Sequence, residues 1–260
     1  MLQAVTAAVR EVAVKEVMPR FLKVAHERKA DGSLFTSADL AAQDALTRKL
    51  SAIDPCPVVA EEMSREQQME QWLAGDGEVW CVDPIDGTSN FANGLPYFAV
   101  SVALMRKGRT VLGVIFDPVA DEMFCAEQGK GAFLNDERLP IKQHVPPLAG
   151  AMAGVDLKRL PRDLAQRIAI RPPYFSQRNF GASTLEWCYT AAGRFDVYVH
   201  GGQKLWDYAA GSLILQEAGG SLCSLEHDDF WASALWQRSV IAAGSPELFE
   251  AWKRWLRQQS

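Results

Sequence analysis

Asp83 and Asp86 stand three positions apart in "WCVDPIDGTSNF", residues 80–91. They follow an apolar run and straddle a Pro-Ile pair. Two like charges on so stiff a corner repel unless something neutralises them. Pro84 pushes Asp83 toward extended backbone, so Asp83 is expected at a strand end. Asp86-Gly87 then turns the chain, and Asp86 or Thr88 can cap a short helix. Taken alone, the segment therefore also reads as a polar turn. Two further acidic corners weigh against that reading. Glu61 and Glu62 close the apolar run "PVVA". Asp207 lies early in "LWDYAAGSLILQEAGG", where its plainer account is an acid favoured by a helix N-terminus. Each corner adjoins an element apolar enough to be buried. Carboxylates gathered in one cleft must take up protons or bind a cation, and oxygen-only ligands select hard ions, Mg²⁺ or Mn²⁺.

Periodicity indicates the elements that would carry these residues. A helix is predicted over most of residues 3–27 and another over 36–53, with a loop or short hairpin at "KADGSLF" between them. "PVVAEE" and "EVWCV" read as short buried strands, with a helix over 65–73 between them. "YFAVSVALMRKGRTVLGVIFDP" reads as a hairpin around Lys-Gly, extended by two shorter strands in "DEMFCAEQGKGAFLN". The second half alternates: strand "LAGAMAGV", helix "PRDLAQRIAI", helix "STLEWCYTAAG", strand "RFDVYVH", a helix ending in Gly-Gly, strands "GSLCSL" and "RSVIAAG", and a last helix from Pro246. This pattern predicts a layered α/β or α+β sandwich with a mixed, largely antiparallel sheet. Residues 1–260 read as a single domain, with a sub-domain border near the Pro-rich 143–150.

Nearly half of the residues are apolar, enough for a sizeable core. The formal charge is -5 with both signs interspersed, which argues against nucleic-acid binding driven by bulk charge. Five cysteines without a C-x-x-C read as reduced, buried thiols. Arg10, Glu11, Lys15 and Glu16 interrupt the N-terminal apolar residues, so that segment is an amphipathic helix and not a signal sequence. No apolar run is long enough to span a membrane. A cytoplasmic protein is expected.

The motifs together resemble the inositol monophosphatase family. "DPIDGTSNF" resembles its first signature and "WDYAAGSLILQEAGG" its second. "AEE" stands where that family has Gly-Glu-Glu, "FTSAD" resembles its Thr-x-x-Asp, and "GASTLEWC" its Gly-Ser/Thr-Ala segment. The order and spacing match over nearly the whole chain. The resemblance implies an αβαβα sandwich and Mg²⁺-dependent hydrolysis of a phosphate monoester, with inhibition by Li⁺ and a homodimer. It implies that Glu61 ligates metal, Asp83 bridges two ions, Ile85 lends its backbone carbonyl to the first, and Asp86 holds the second with Asp207. Gly87 and Thr88 would present backbone N–H groups to phosphate, and Gly181 would contact substrate. The Thr88 hydroxyl, held by Asp39, would orient and help deprotonate the attacking water, with no covalent intermediate. From the residues alone, Asp39 is also explained as the third helical residue of a capping box headed by Thr36.

Two positions depart from the family pattern. His200 replaces the Glu that inositol-selective members carry seven residues before the second-signature Asp, and Ala182 replaces a hydroxyl residue. A donor, an acceptor or a cation can thus stand where an anion is usual. The expected substrate is a small phosphorylated polyol or sugar. Histidinol phosphate, fructose 1,6-bisphosphate and a 3'-phosphonucleotide are the alternatives within the class. A regulatory protein of a transcription complex, built on the same fold, is the alternative outside it. His26, His144 and His227 read as ordinary surface or loop residues, and the "WKRWLRQQS" tail as an amphipathic helix.

Overall fold

A computed structural model describes residues 1–23, 26–28, 34–142, 144–232 and 234–258. The chain opens with α1 (Leu2–Val12), continued by a π turn (Ala13–Val17) and a 3₁₀ turn (Met18–Arg20). The helical turns reach Arg20 and so cover most of the expected residues 3–27; Pro19, which has no N–H to give, sits in the last, 3₁₀ turn. A hairpin of β1 (His26–Arg28) and β2 (Leu34–Thr36) follows; the intervening residues 29–33 lie outside the described ones. Then come α2 (Ser37–Ile53), β3 (Val58–Ala60), α3 (Arg65–Gly75), β4 (Val79–Asp86), α4 (Thr88–Ala92), β5 (Ala99–Arg106), β6 (Arg109–Asp117), β7 (Glu122–Glu127), β8 (Ala132–Leu134) and β9 (Glu137–Arg138). The second half holds β10 (Met152–Val155), α5 (Arg162–Ile170), β11 (Ser176–Arg178), α6 (Ser183–Ala191), β12 (Val197–Lys204), α7 (Leu205–Glu217), β13 (Ser221–Cys223), β14 (Gln237–Ala243) and α8 (Pro246–Arg257).

The strands form two large sheets, in keeping with the expected αβαβα sandwich. The seven-stranded sheet runs β3-β4-β5-β6-β7-β8-β9, antiparallel except for β3 beside β4. The five-stranded sheet runs β11-β10-β12-β14-β13, with β10 parallel to both its neighbours. The chain passes from one to the other between Arg138 and Met152, around the Pro-rich segment. Alternation sorts the side chains of the first sheet. Trp80, Val82, Val100 and Val102 face a core shared with α1 and α2. Val79, Cys81, Ala99 and Ala103 face a second core shared with α6 and α7. The far side of the second sheet packs on α8 through Leu248, Phe249, Trp252 and Leu256, as the amphipathic tail suggests. The order of layers is helix, sheet, helix, sheet, helix.

Helix α7 is apolar on nearly all sides because it lies between the two sheets. Gly211 lets it close on α6: a Cβ there would lie 2.4 Å from that of Trp187. This seating fixes where its first turn, with Asp207, meets the edge of β4. Of the five cysteines, Cys81, Cys188 and Cys223 are buried as expected. Cys56 and Cys125 are only partly so, and Cys56 lies between Asp54 and Arg106.

Candidate metal centre and active site

The acidic pair of β4 owes its arrangement to a bulge. Residues three apart in a regular strand point to opposite faces. Here Asp83 pairs with Ser101 and Asp86 with Ala99, so three steps on β4 oppose two on β5. The extra residue falls in Pro84-Ile85, where proline has no ladder hydrogen bond to lose. Both carboxylates are thereby turned to the face that meets α7. The strand thus continues through Asp86, beyond the expected end at Asp83, and the turn begins at Gly87 with φ 88°. Ile85 N donates to Asp83 Oδ1 at 3.1 Å and stiffens the bulge.

Carboxylate oxygens of Asp83, Asp86 and Asp207 come within 4.8 Å of one another. Asp207 is the third residue of α7, and its Oδ2 accepts from Lys204 N at 2.8 Å. Its plain role at the helix start and its place in the cluster therefore coexist. Glu61 extends the β3–β4 pairing by donating its N–H to Val82 O at 3.1 Å. Its carboxyl lies close enough to Asp83 to act on that group's charge. Glu62 turns its N–H to Gln43 Oε1 at 3.1 Å. Burial, then the charges of Glu61, Asp86 and Asp207, raise the Asp83 pKa well above the ordinary value. Burial and the neighbouring acids do the same to Asp207, while burial pushes Asp86 up to about 6 against the hydrogen bonds from Thr184.

These acids make metal-free stability depend on pH in a defined direction. Their folded pKa values exceed the unfolded ones, so the native state holds more protons, and stability falls as pH rises through the folded pKa values. In EDTA the melting temperature is expected to drop by several degrees between about pH 5 and about pH 8. Saturating Mg²⁺ should remove most of that drop. Scanning fluorimetry at the two pH values, with each additive, measures both; parallel curves would refute the assignment of the effect to this cluster.

Beside the cluster, Asp39 is fully buried at the start of α2. Its Oδ2 accepts from Thr36 N at 2.7 Å and from Thr36 Oγ1 at 2.8 Å, which completes the capping box. Burial pushes its pKa up to about 6 against the Thr36 hydrogen bonds. The other oxygen, Oδ1, lies 3.5 Å from Thr88 Oγ1. That hydroxyl is nearer to Ile85 O, at 3.0 Å, so it hangs between the two acceptors and is not held by Asp39 alone. A Cβ on Gly87 would sit 3.1 Å from Ala182 Cβ and 3.4 Å from Gly181 O. The "GAS" segment thus lies directly against the first signature.

His200 stands apart from the acids in its contacts. It is 7% exposed on β12. Its Nδ1 accepts from Gly202 N at 3.1 Å, which leaves the proton of the neutral ring on Nε2. Nε2 lies 3.9 Å from Asp156 Oδ2. Burial pushes the pKa down to about 4, which favours the neutral ring near pH 7. His144 and His227 are exposed, as expected.

Three supporting residues lie inside the quoted motifs but are given no role by sequence. Thr184 N and Oγ1 both donate to Asp86 Oδ2, each at 2.6 Å. Asn90 Nδ2 donates to Tyr97 O at 2.8 Å and to Phe180 O at 2.7 Å. Glu186 Oε1 accepts from Phe180 N at 3.0 Å, and burial pushes its pKa up to about 7. Together they fasten the 180–184 segment, which contains Gly181, to the first signature. Only Glu186 could be flagged in advance, as a lone acid in the apolar helix "STLEWCYTA".

A helical layer enclosed by two sheets, with strand and helix ends meeting at an acidic cleft, defines the αβαβα sandwich class. The chain belongs to the inositol monophosphatase family, whose model matches residues 1–259. It is 37% identical to the Nus factor SuhB of Pasteurella multocida, over 75% of this chain and 73% of that one. It is 36% identical to an inositol-1-monophosphatase of Mesorhizobium japonicum, over 76% and 74%. Among solved structures, the extragenic suppressor protein suhB of Bartonella henselae superposes with a TM-score of 0.83 at 29% identity, covering 99% of this chain and 98% of that one. An IMPase of Thermotoga maritima superposes at 0.82 and 27%, covering 98% and 96%. Among the described residues, no helix is long and apolar enough to cross a membrane.

Proposed function

We propose that this chain hydrolyses a small phosphate monoester of a polyol or sugar, inositol monophosphate being the first to test, with the help of Mg²⁺ or Mn²⁺. The observation that carries this reading is the convergence of Asp83, Asp86 and Asp207, three carboxylates with raised pKa values. The donors are all oxygen, with no His or Cys in the group, which fits a hard divalent cation. Asp83, Asp86, Asp207 and Glu61, with the carbonyl of Ile85, would hold it. When bound, the cation would offset phosphoryl charge and acidify water.

The remaining roles fall to this chain's own groups. Thr88 Oγ1, which lies between Asp39 Oδ1 and Ile85 O, would orient an attacking water. Asp39 Oδ1 is the oxygen of that carboxylate left to take up a proton, because Oδ2 is committed to Thr36. Backbone N–H groups of Gly87 and Thr88 would receive phosphate oxygens, and Gly181 would border the leaving group. His200, neutral and with Nε2–H as donor, would meet a hydroxyl or an acceptor where inositol-selective members have a carboxylate.

The experiment is a phosphate-release panel over inositol 1-phosphate, histidinol phosphate, fructose 1,6-bisphosphate and a 3'-phosphonucleotide. It is run with Mg²⁺, with EDTA, and with Mg²⁺ plus Li⁺. Turnover of at least one ester, abolished by EDTA and lowered by Li⁺, is expected. The relatives named Nus factor SuhB support a second reading, a regulatory binding protein. Absence of turnover on every ester in the panel would favour it and defeat the first.

A further inference from the structure

We propose that Thr184 is a positioning residue that orients Asp86 and thereby sets the affinity of the site for its divalent cation. The inference rests on the metal-dependent reading above and adds a residue to which that reading assigns no role. Thr184 is fully buried in the first turn of α6. Its N–H and its hydroxyl converge on one oxygen, Oδ2 of Asp86, both at 2.6 Å. Two hydrogen bonds fill the two lone pairs of that oxygen, so the ligating capacity of Asp86 is confined to Oδ1.

Helix α6 has Ala182 at its N-cap, with no side-chain oxygen to receive the free N–H groups of the first turn. Asp86 supplies that oxygen from β4, 98 residues earlier in sequence. The contact therefore joins the first sheet to the middle helical layer at the metal cluster. Asp39 is fastened in the same way: the N–H and hydroxyl of one threonine, Thr36, hold its Oδ2 and leave Oδ1 toward the site. A carboxylate fixed before binding loses less rotational freedom when a cation arrives. Outer partners of metal ligands commonly change affinity by about 10–100-fold.

The test uses the full chain and Mg²⁺ itself, titrated calorimetrically into wild type, Thr184→Val, Thr184→Ala and Thr184→Ser. Valine keeps the shape and the backbone N–H but removes the hydroxyl; serine keeps the hydroxyl. The expected result is a rise in Kd of about 10–100-fold for Val, with Ser within a few-fold of wild type. The Mg²⁺ concentration giving half-maximal turnover should rise in parallel, with KM for the ester little changed. Circular dichroism checks folding, and Ala takes the place of Val if that variant does not fold. Wild-type affinity in a folded hydroxyl-free variant, or equal weakening in Ser, would overturn the assignment while leaving the metal reading intact. Failure of wild type to bind Mg²⁺ would remove both.

Discussion

Replacing Asp83 by asparagine is expected to lower phosphate release by more than about 10²-fold, since even outer partners of metal ligands commonly cost 10–100-fold. The fold should survive. Asp83 is 1% exposed, and its charge faces Glu61, Asp86 and Asp207. An amide of the same shape removes one of the mutually repelling charges without opening a cavity. In EDTA near pH 8, Asp83→Asn should therefore melt no lower than wild type. Loss of activity together with undiminished metal-free stability separates a ligand from a structural residue. Near-normal turnover would show that Asp83 does not hold the cation; a large drop in metal-free stability would show that its carboxylate is needed for folding.

Asp39→Asn should lower kcat by about 10²–10⁴-fold, the usual range for a positioned acid or base. The capping box supplies the control for this variant. Asparagine can keep its oxygen on Thr36 N and Oγ1 and so continue to cap α2, with a stability change within about 1 kcal/mol. Its NH₂ then points at Thr88 Oγ1, where the aspartate offered an acceptor. Mg²⁺ affinity should be nearly unchanged, because Asp39 is not among the proposed ligands. Unchanged kcat would reduce Asp39 to its capping role. A fall in Mg²⁺ affinity as large as that of Asp83→Asn would place it among the ligands.

Much of this site is legible in sequence because its acids sit at punctuation. Asp83 is held extended by Pro84, Glu61 directly follows a three-residue apolar strand, and Asp207 opens an apolar helix. Residue type and local pattern suffice to mark such corners. That they meet in one cleft is a matter of tertiary structure; in sequence it could be inferred only from their number and from the order of the motifs. The bulge at Pro84-Ile85 lies beyond local pattern, because it depends on β5 offering one residue fewer between Ser101 and Ala99. Thr184 stands in the quoted "GASTLEWC" segment, but its role is hidden for a similar reason. Nothing near it in sequence explains a buried hydroxyl, and its partner is 98 residues away.

The division into two sheets is legible only in part. The hairpin through "RKGR" and the final helix follow from period and turn residues. The three-residue edge strand β11 is too short and too polar to show a period. Its strand character comes from pairing with β10. Apolar periodicity cannot show the change to π and 3₁₀ turns at the end of the first helix, where Pro19 has no N–H to give. His200 illustrates a different limit. Its replacement of an acid is plain in sequence, but its neutrality comes from burial and from the N–H of Gly202, which only the fold supplies.

The central claim is that distant acids converge to hold a divalent cation, and Mn²⁺ can be seen directly. Crystals grown with saturating MnCl₂ and measured at the manganese absorption edge should show anomalous density touching Asp83, Asp86 and Asp207. The distances should be about 2.0–2.2 Å, as for a small hard ion on oxygen ligands. Bare carboxylates at these three positions under saturating Mn²⁺, with anomalous density elsewhere or absent, would contradict it.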